Sequence, residues 1–439
     1  MDRNIKKEIL KYAIPGILGL VANSLYIVID GIFVAQMLGD ASLAAVTTVV
    51  PIVELLIALS LMISIGGGIY ISISKGKNDF AMARSYFNHG FYFMLGIGLI
   101  ILLISLLFTD QIIWILGATE AIFNEAKTYF LAFIVFVPFF MMNYALGTWI
   151  RNDGNPKLAM ISQIMGAIIN IVLDYVFMGP LNLGIKGAAI ATGLGPVVGI
   201  ILLLPHFLMK KGDLFFEKVT YKRTYIKEIA LAGLPSFSIE FALGVMTFIM
   251  NLFLVQRFGQ NGLSAFAVVG YVNLILLSIF LGLGQGTQPI ISQFKGKEDH
   301  QTIQAIYKYS LKLSVILGFL SILVTFSFKR KISSIFIAPE QEELYQLTLT
   351  AMRLFFITYP ATGINLATAS VFEAKHEVKP SIIISLLRSL LILFPVALFL
   401  SYLKIDDALW IAVPLTELFT VPISLYLWRK YDPTDALTL

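Results

Sequence analysis

A chain of 439 residues that is 58% hydrophobic and 13% charged, with a mean hydropathy of +0.84, cannot keep its apolar surface from water as a soluble domain. The formal charge of +5 is spread over polar intervals and forms no basic patch for nucleic acid. With no cysteine there is no disulfide, thiol nucleophile or thiolate metal site, and His89, His206, His300 and His376 are too scattered for a ligand cluster.

The reading is an all-α polytopic membrane protein with twelve transmembrane helices. In chain order the apolar cores are 8–34, 42–69, 85–108, 127–150, 158–178, 187–209, 228–256, 262–290, 306–327, 346–371, 381–403 and 407–428. The first apolar run has no small-residue cleavage site after it, so it reads as an uncleaved span. Most lysines and arginines fall on one side: the N-terminal segment, Lys75, Lys77 and Arg84, Arg151 and Lys157, the 210–227 interval, and Lys375 and Lys379. Lys127, Lys186, Arg257 and Lys404 lie opposite, as does the cluster Lys329-Arg330-Lys331 in an expected 329–345 loop. That bias places both termini in the cytoplasm of a cell that carries the protein in its plasma membrane.

The only long polar interval, 210–227, separates two halves of six spans, 1–209 and 228–439. The halves repeat. A shift of 220 sets Pro15 on Pro235, Gln36 on Gln256, Gly39 on Gly259, and Lys75-Gly76-Lys77 on Lys295-Gly296-Lys297. The shift then drifts, and Pro138 meets Pro360. An even number of spans gives both halves one orientation. They are therefore expected as two six-helix bundles related by a pseudo-two-fold axis along the membrane normal, with a cavity between them.

Against this repeat stand residues that it does not duplicate. Asp30 in the first span meets Met250, and Asp174 in the fifth meets Leu398. An acid inside the membrane is expensive and marks a functional site by default. Asn170 and Asp174 are four residues apart and share a helix face. Gly179-Pro180 then turns the chain into a second apolar helix that carries Thr192. At about 1.5 Å per residue, Asp174 and Thr192 each lie roughly 8 Å from that turn, and Asp30 about 12 Å from the outer end of its span. The four residues should meet at one depth. Two carboxylates there should share a proton or a Na⁺ ion. Asn143 in the fourth span fits the same polar set or serves as an interhelical amide.

In the second half Glu240 and Asn251 are embedded polar residues, and Glu240 reads either as a partner for a cationic substrate or as a hydrogen-bonded structural acid. Arg388 and Glu417 read as a structural ion pair, and Glu54 stays open between the two roles. Tyr26, Met141 and Phe237 fit a broad apolar binding cavity as well as ordinary packing. A kink is expected at Pro15. The sequence carries no nucleotide-binding loop, nucleophile elbow or metal constellation, so the chain is read as no enzyme, and uphill transport must draw on an ion gradient.

The whole chain resembles the MATE (multidrug and toxic compound extrusion) transporters. The resemblance rests on the six-plus-six repeat, Asp30 before VAQMLG, RNDGNP at 151–156, NIVLDYVF at 170–177 and GIKGAAIAT at 184–192. It is nearest to the DinF/MepA-type bacterial branch. The resemblance implies a coupling-cation site at Asp30, Asn170, Asp174 and Thr192, with the Ala188 carbonyl as a further ligand. It also implies a substrate-facing role for Glu240. A second-half cation site of the NorM type is not implied, because Ala361 follows Pro360 where that branch has an Asp. In function the resemblance implies a monomeric antiporter without a cofactor, coupled to H⁺ or Na⁺, expelling amphiphilic and often cationic drugs. The alternatives are a lipid-linked sugar flippase and, in another class, a channel.

Overall fold

The structure is a computed structural model that describes residues 3–337, 340–403, 405 and 407–432. Lys404 lies outside the described residues, which contain helices and no strand. The first half comprises α1 (Arg3–Leu38), α2 (Asp40–Gly76), α3 (Phe80–Leu107), the short α4 (Thr109–Ile115), α5 (Phe123–Ile134), α6 (Val137–Asn152), α7 (Pro156–Met178) and α8 (Gly184–Leu208). The second comprises α9 (Arg223–Gly296), α10 (His300–Phe336), α11 (Glu342–Phe355), α12 (Tyr359–Ala374), α13 (Val378–Leu386), α14 (Leu393–Leu403) and α15 (Ala412–Tyr431).

Among the described residues nine helices are long and apolar enough to span a membrane, and two bent pairs raise the number to 11. The last division is inside α9. A straight helix of 74 residues would measure roughly 110 Å against a hydrocarbon core of about 30 Å. It breaks at Gly259, whose φ of 59° and ψ of −143° reverse the chain. Gly39 makes the equivalent turn between α1 and α2 at φ 86°. A Cβ at either glycine would meet nothing within 4 Å, so backbone conformation alone selects glycine there. Splitting α9 at this point gives twelve spans.

The repeat extends to local detail. Asp79 caps α3 by accepting from the Met82 amide at 2.9 Å, and Asp299 caps α10 by accepting from Thr302 at 2.9 Å. The pairs α5–α6 and α11–α12 bend by 50° and 53°, and α6 and α12 each carry a proline in the first turn and run 16 residues. Proline is tolerated at that place because the amide it lacks would have had no helical partner. At Pro15 the chain stays helical, and α1 runs through it. Lys329-Arg330-Lys331 also falls within α10 rather than in a loop, so the expected 329–345 connection is shorter than its charges imply.

Each half has its own core. Phe87, Phe130, Trp149 and Phe207 fill the first, and Met352, Phe356 and Trp410 the second. A third cluster joins Ile9 and Ala13 of α1 to Ile290, Phe372 and Trp428, so the start of the chain packs on the second half. The halves touch most closely through small residues at this end. A Cβ on Gly66 would lie 2.0 Å from the Ile229 carbonyl, and one on Gly233 1.7 Å from that of Met62. Gly76 and Gly296, equivalent in the repeat, face each other, each with a virtual Cβ about 3 Å from the other's Cα. Such backbone contact excludes any side chain and seals the cleft at the end where the 210–227 linker lies.

The linker is anchored there by Asp153. Its carboxylate, in the turn after α6, accepts from Lys75 Nζ at 3.0 Å, His206 Nε2 at 2.8 Å, and the amides of Asp213 and Leu214 at 3.0 and 3.3 Å. Burial alone would raise its pKa. The His206 contact, Lys75 and the Leu214 amide outweigh burial and hold it below the ordinary 3.8. The stabilisation is therefore complete above about 3.8 and is lost as pH falls through the depressed native value. Asp153→Asn removes the charge facing Lys75 and is expected to weaken linker docking by about 1–3 kcal/mol. New protease cleavage within 210–222 at neutral pH is the readout. Unchanged protection would mean the linker is held by other contacts.

Candidate functional site

The polar site is built on α1, α7 and α8, and the local sequence explains its construction. Asn23, Tyr26 and Asp30 recur at three- and four-residue intervals and so share one face of α1. Asn170 and Asp174 share a face of α7, and Thr192 comes from α8, its antiparallel neighbour. Asp174 is fully buried and Asn170 is 2% exposed. The carboxyls of Asp30 and Asp174 meet at hydrogen-bonding range. In the orientation that satisfies both ends of its amide, Asn170 donates to Asp174 Oδ2 at 3.1 Å and accepts from the Thr192 amide at 3.2 Å. Thr192 Oγ1 donates to the Ala188 carbonyl at 3.0 Å, and Tyr129 of α5 lies close to the hydroxyl.

Two facing carboxyls in a dry interior cannot both be ionised alone, since their repulsion is poorly screened there. A shared proton or a monovalent cation removes the conflict. One oxygen on each acid, Asp30 Oδ1 and Asp174 Oδ1, is buried without a hydrogen-bond partner, which leaves acceptors for either. No group of three or more His, Cys, Asp or Glu residues able to hold a metal occurs among the described residues.

Two cavities lie in this region, and the first reaches Asn170 and Thr192. The first, about 640 Å³ of space that is partly open to solvent, is lined mainly by the first half, by Asn23, Tyr26, Asn143, Tyr144, Asn170 and Thr192. Asp30 and Asp174 are not among its lining residues, but Asn170, which donates to Asp174, is. The second, about 480 Å³ of space that is partly open to solvent, lies between the halves and is lined by Glu240, Glu373 and Arg151, among others. Thr148, Arg151 and Gln285 border both. Glu54 of α2 lies within electrostatic reach of Glu240.

The remaining sequence candidates are placed as follows. Met141 is fully buried in the first core and touches neither cavity. Phe237 stacks on Phe241 at 6.3 Å, and neither it nor Asn251 lines these two cavities. Arg388 and Glu417 do pair: Arg388 Nε donates to both carboxylate oxygens at 3.0 and 2.9 Å and Nη2 to Oε1 at 2.5 Å. Tyr129, Gln285 and Glu373 carry no sequence signal that sets them apart. Arg151, by composition one of the loop cations, lies in the last turn of α6 and is 3% exposed.

Comparison with known proteins decides the family. The MatE family model matches residues 15–176 and again 235–399, once in each half. The chain belongs to the MatE family. Its second match opens at Pro235, the residue that the repeat sets on Pro15. Multidrug export protein MepA of Staphylococcus saprophyticus is 26% identical over 379 residues, 83% of this chain and 82% of that one. MepA of Staphylococcus haemolyticus is 27% identical over 293 residues, 66% and 65% of the two chains. Among solved structures, a MATE protein in complex with MaL6 superposes with a TM-score of 0.94 at 22% identity, covering 98% of this chain and 97% of that one. An outward-facing multidrug resistance MATE transporter of the MOP superfamily gives 0.94 at 22% identity with the same coverage. These likenesses establish the fold: twelve spans in two bundles. As a MatE protein the chain is a multi-pass membrane transporter and not an enzyme.

Proposed function

We propose that this MatE protein is a cation-coupled multidrug exporter that works by alternating access in the plasma membrane, with both termini cytoplasmic. The carrying observation is the buried Asp30–Asp174 pair, confined to one half of a repeat and linked through Asn170 to a cavity that Asn170 and Thr192 help to line. The similarity to MepA exporters supports the drug class. Each half contributes to the inter-half cavity within one chain, so a monomer suffices. In this reading the glycine-sealed end faces the cytoplasm. A proton or Na⁺ entering from outside neutralises the pair, lowers the cost of enclosing it and releases the first half to move. Asn170 and Thr192 act as neutral donors that hold the loaded site.

Efflux from proteoliposomes, driven first by an imposed pH gradient and then by a Na⁺ gradient, tests the function and names the ion. Transport that runs equally well with no gradient of either kind would sink the antiport reading.

Glu240 supplies a negative charge to the inter-half cavity beside Glu373, whose carboxylate accepts from Ser236. Glu240→Gln is expected to lower export of a cationic dye by roughly tenfold, the effect of losing about 1.4 kcal/mol of interaction, and to spare a neutral one. Equal losses for both dyes would assign Glu240 to structure.

A further inference from the structure

The inter-half cavity holds a second charge of opposite sign. Helices α6 and α12 have equal length and equivalent places in the two halves, so Arg151 near the end of one corresponds to Glu373 near the end of the other. Both line the 480 Å³ cavity. Glu373 is satisfied, since it accepts from Ser236. Arg151 is not. Its Nη2 donates to Thr148 Oγ1 at 3.0 Å and to Gln285 Oε1 at 3.2 Å, while Nε and Nη1 are buried without a partner.

No carboxylate among the described residues lies within ion-pairing distance of Arg151. Asp153, two residues on, turns to Lys75 and His206 instead. A guanidinium keeps its charge in any environment and presents planar donors that match a carboxylate. Leaving such a charge buried with free donors is costly, and an anionic group brought into the cavity relieves that cost. Glu240, in the same cavity, is placed for the other charge of the same molecule.

We propose that Arg151 is a substrate-binding residue that takes a carboxylate, making the inter-half cavity a two-point subsite for zwitterionic amphiphiles, with their amine at Glu240. This rests on the export reading above. It adds a discrimination which that reading does not require: a carboxylate on the substrate should help rather than hinder.

The test uses purified full-length protein and two fluorescent probes, rhodamine 110, a zwitterion, and rhodamine 123, its methyl ester and a cation. Wild-type protein is expected to bind the zwitterion more tightly than the ester. Arg151→Gln should lower the zwitterion-to-ester affinity ratio by about tenfold, the fold-change of one charge-assisted hydrogen bond. An unchanged ratio, whether both affinities fall or neither does, would overturn the proposal. The wild-type comparison stands by itself if the variant does not fold, and there a zwitterion bound no better than its ester overturns it too. Failure of the export reading is separately visible, as binding of both dyes without gradient-driven efflux of either.

Discussion

Asp30→Asn and Asp174→Asn should each abolish gradient-driven export while the protein still inserts, folds and binds substrate in detergent. The expectation follows from the size of the free-energy change that coupling demands. Moving a two-state equilibrium from one side to the other takes about 5.5 kcal/mol of differential binding. Only a group whose charge changes on loading can supply so much inside a dry protein. The Asp30–Asp174 pair is such a group, because its two acids meet in a buried place and keep unpartnered oxygens. An amide cannot take up a proton at neutral pH, and it contributes no charge to a Na⁺ ion. Either variant keeps one ionisable acid, but that acid no longer faces a second carboxyl, so loading it relieves far less repulsion than loading the pair. Thr192→Ala should be milder, weakening ion dependence without removing it, since the hydroxyl already donates within its own helix to the Ala188 carbonyl. The measurement is efflux from proteoliposomes beside dye binding in detergent. Uphill export with normal ion dependence in both carboxamide variants would make the pair structural and require another coupling site.

The outline of this molecule is legible because its spans are long and its polar interruptions few. Each apolar core of the sequence holds a helix or a bent pair, and the 220-residue shift reappears in the turns at Gly39 and Gly259 and in the caps at Asp79 and Asp299. Asp30 and Asp174 stand out because a carboxylate within an apolar run is too costly to keep without a use. The hidden features depend on where helices end and which way they face. Arg151 follows an apolar run and precedes Asn-Asp-Gly-Asn-Pro, so by composition it belongs to a loop. The helix continues one residue past it, and the approach of α9 buries it. Lys329-Arg330-Lys331 misleads for the converse reason, since α10 keeps its helix well beyond its apolar part. Met141 and Phe237 show the remaining gap. An aromatic or methionine suits a core and a drug cavity equally, and only packing distinguishes them.

Glu417→Gln should be the most destabilising polar substitution in the second half, and the reason lies in how thoroughly its site is satisfied. Arg388 comes from a π-helical segment, Leu387–Leu391, whose extra residue per turn re-aims the side chain toward α15. There it makes three charged hydrogen bonds to Glu417. Asn365 Nδ2 donates to Glu417 Oε2 at 2.7 Å, and Ser424 in turn donates to Asn365 Oδ1 at 2.8 Å. With donors and acceptors matched in this way, the pair lacks the unfilled valences that mark Arg151 and the Asp30–Asp174 site. Removing one charge leaves the other buried and uncompensated, which costs about 3–5 kcal/mol. Replacing both by apolar residues of similar volume, Arg388→Met with Glu417→Leu, should recover most of that loss, because desolvation of two charges largely offsets their attraction. Thermal unfolding in detergent of the single and double variants provides the cycle. If Glu417→Gln instead melts like the wild type and alters which substrates are exported, the pair belongs to recognition and is no internal brace.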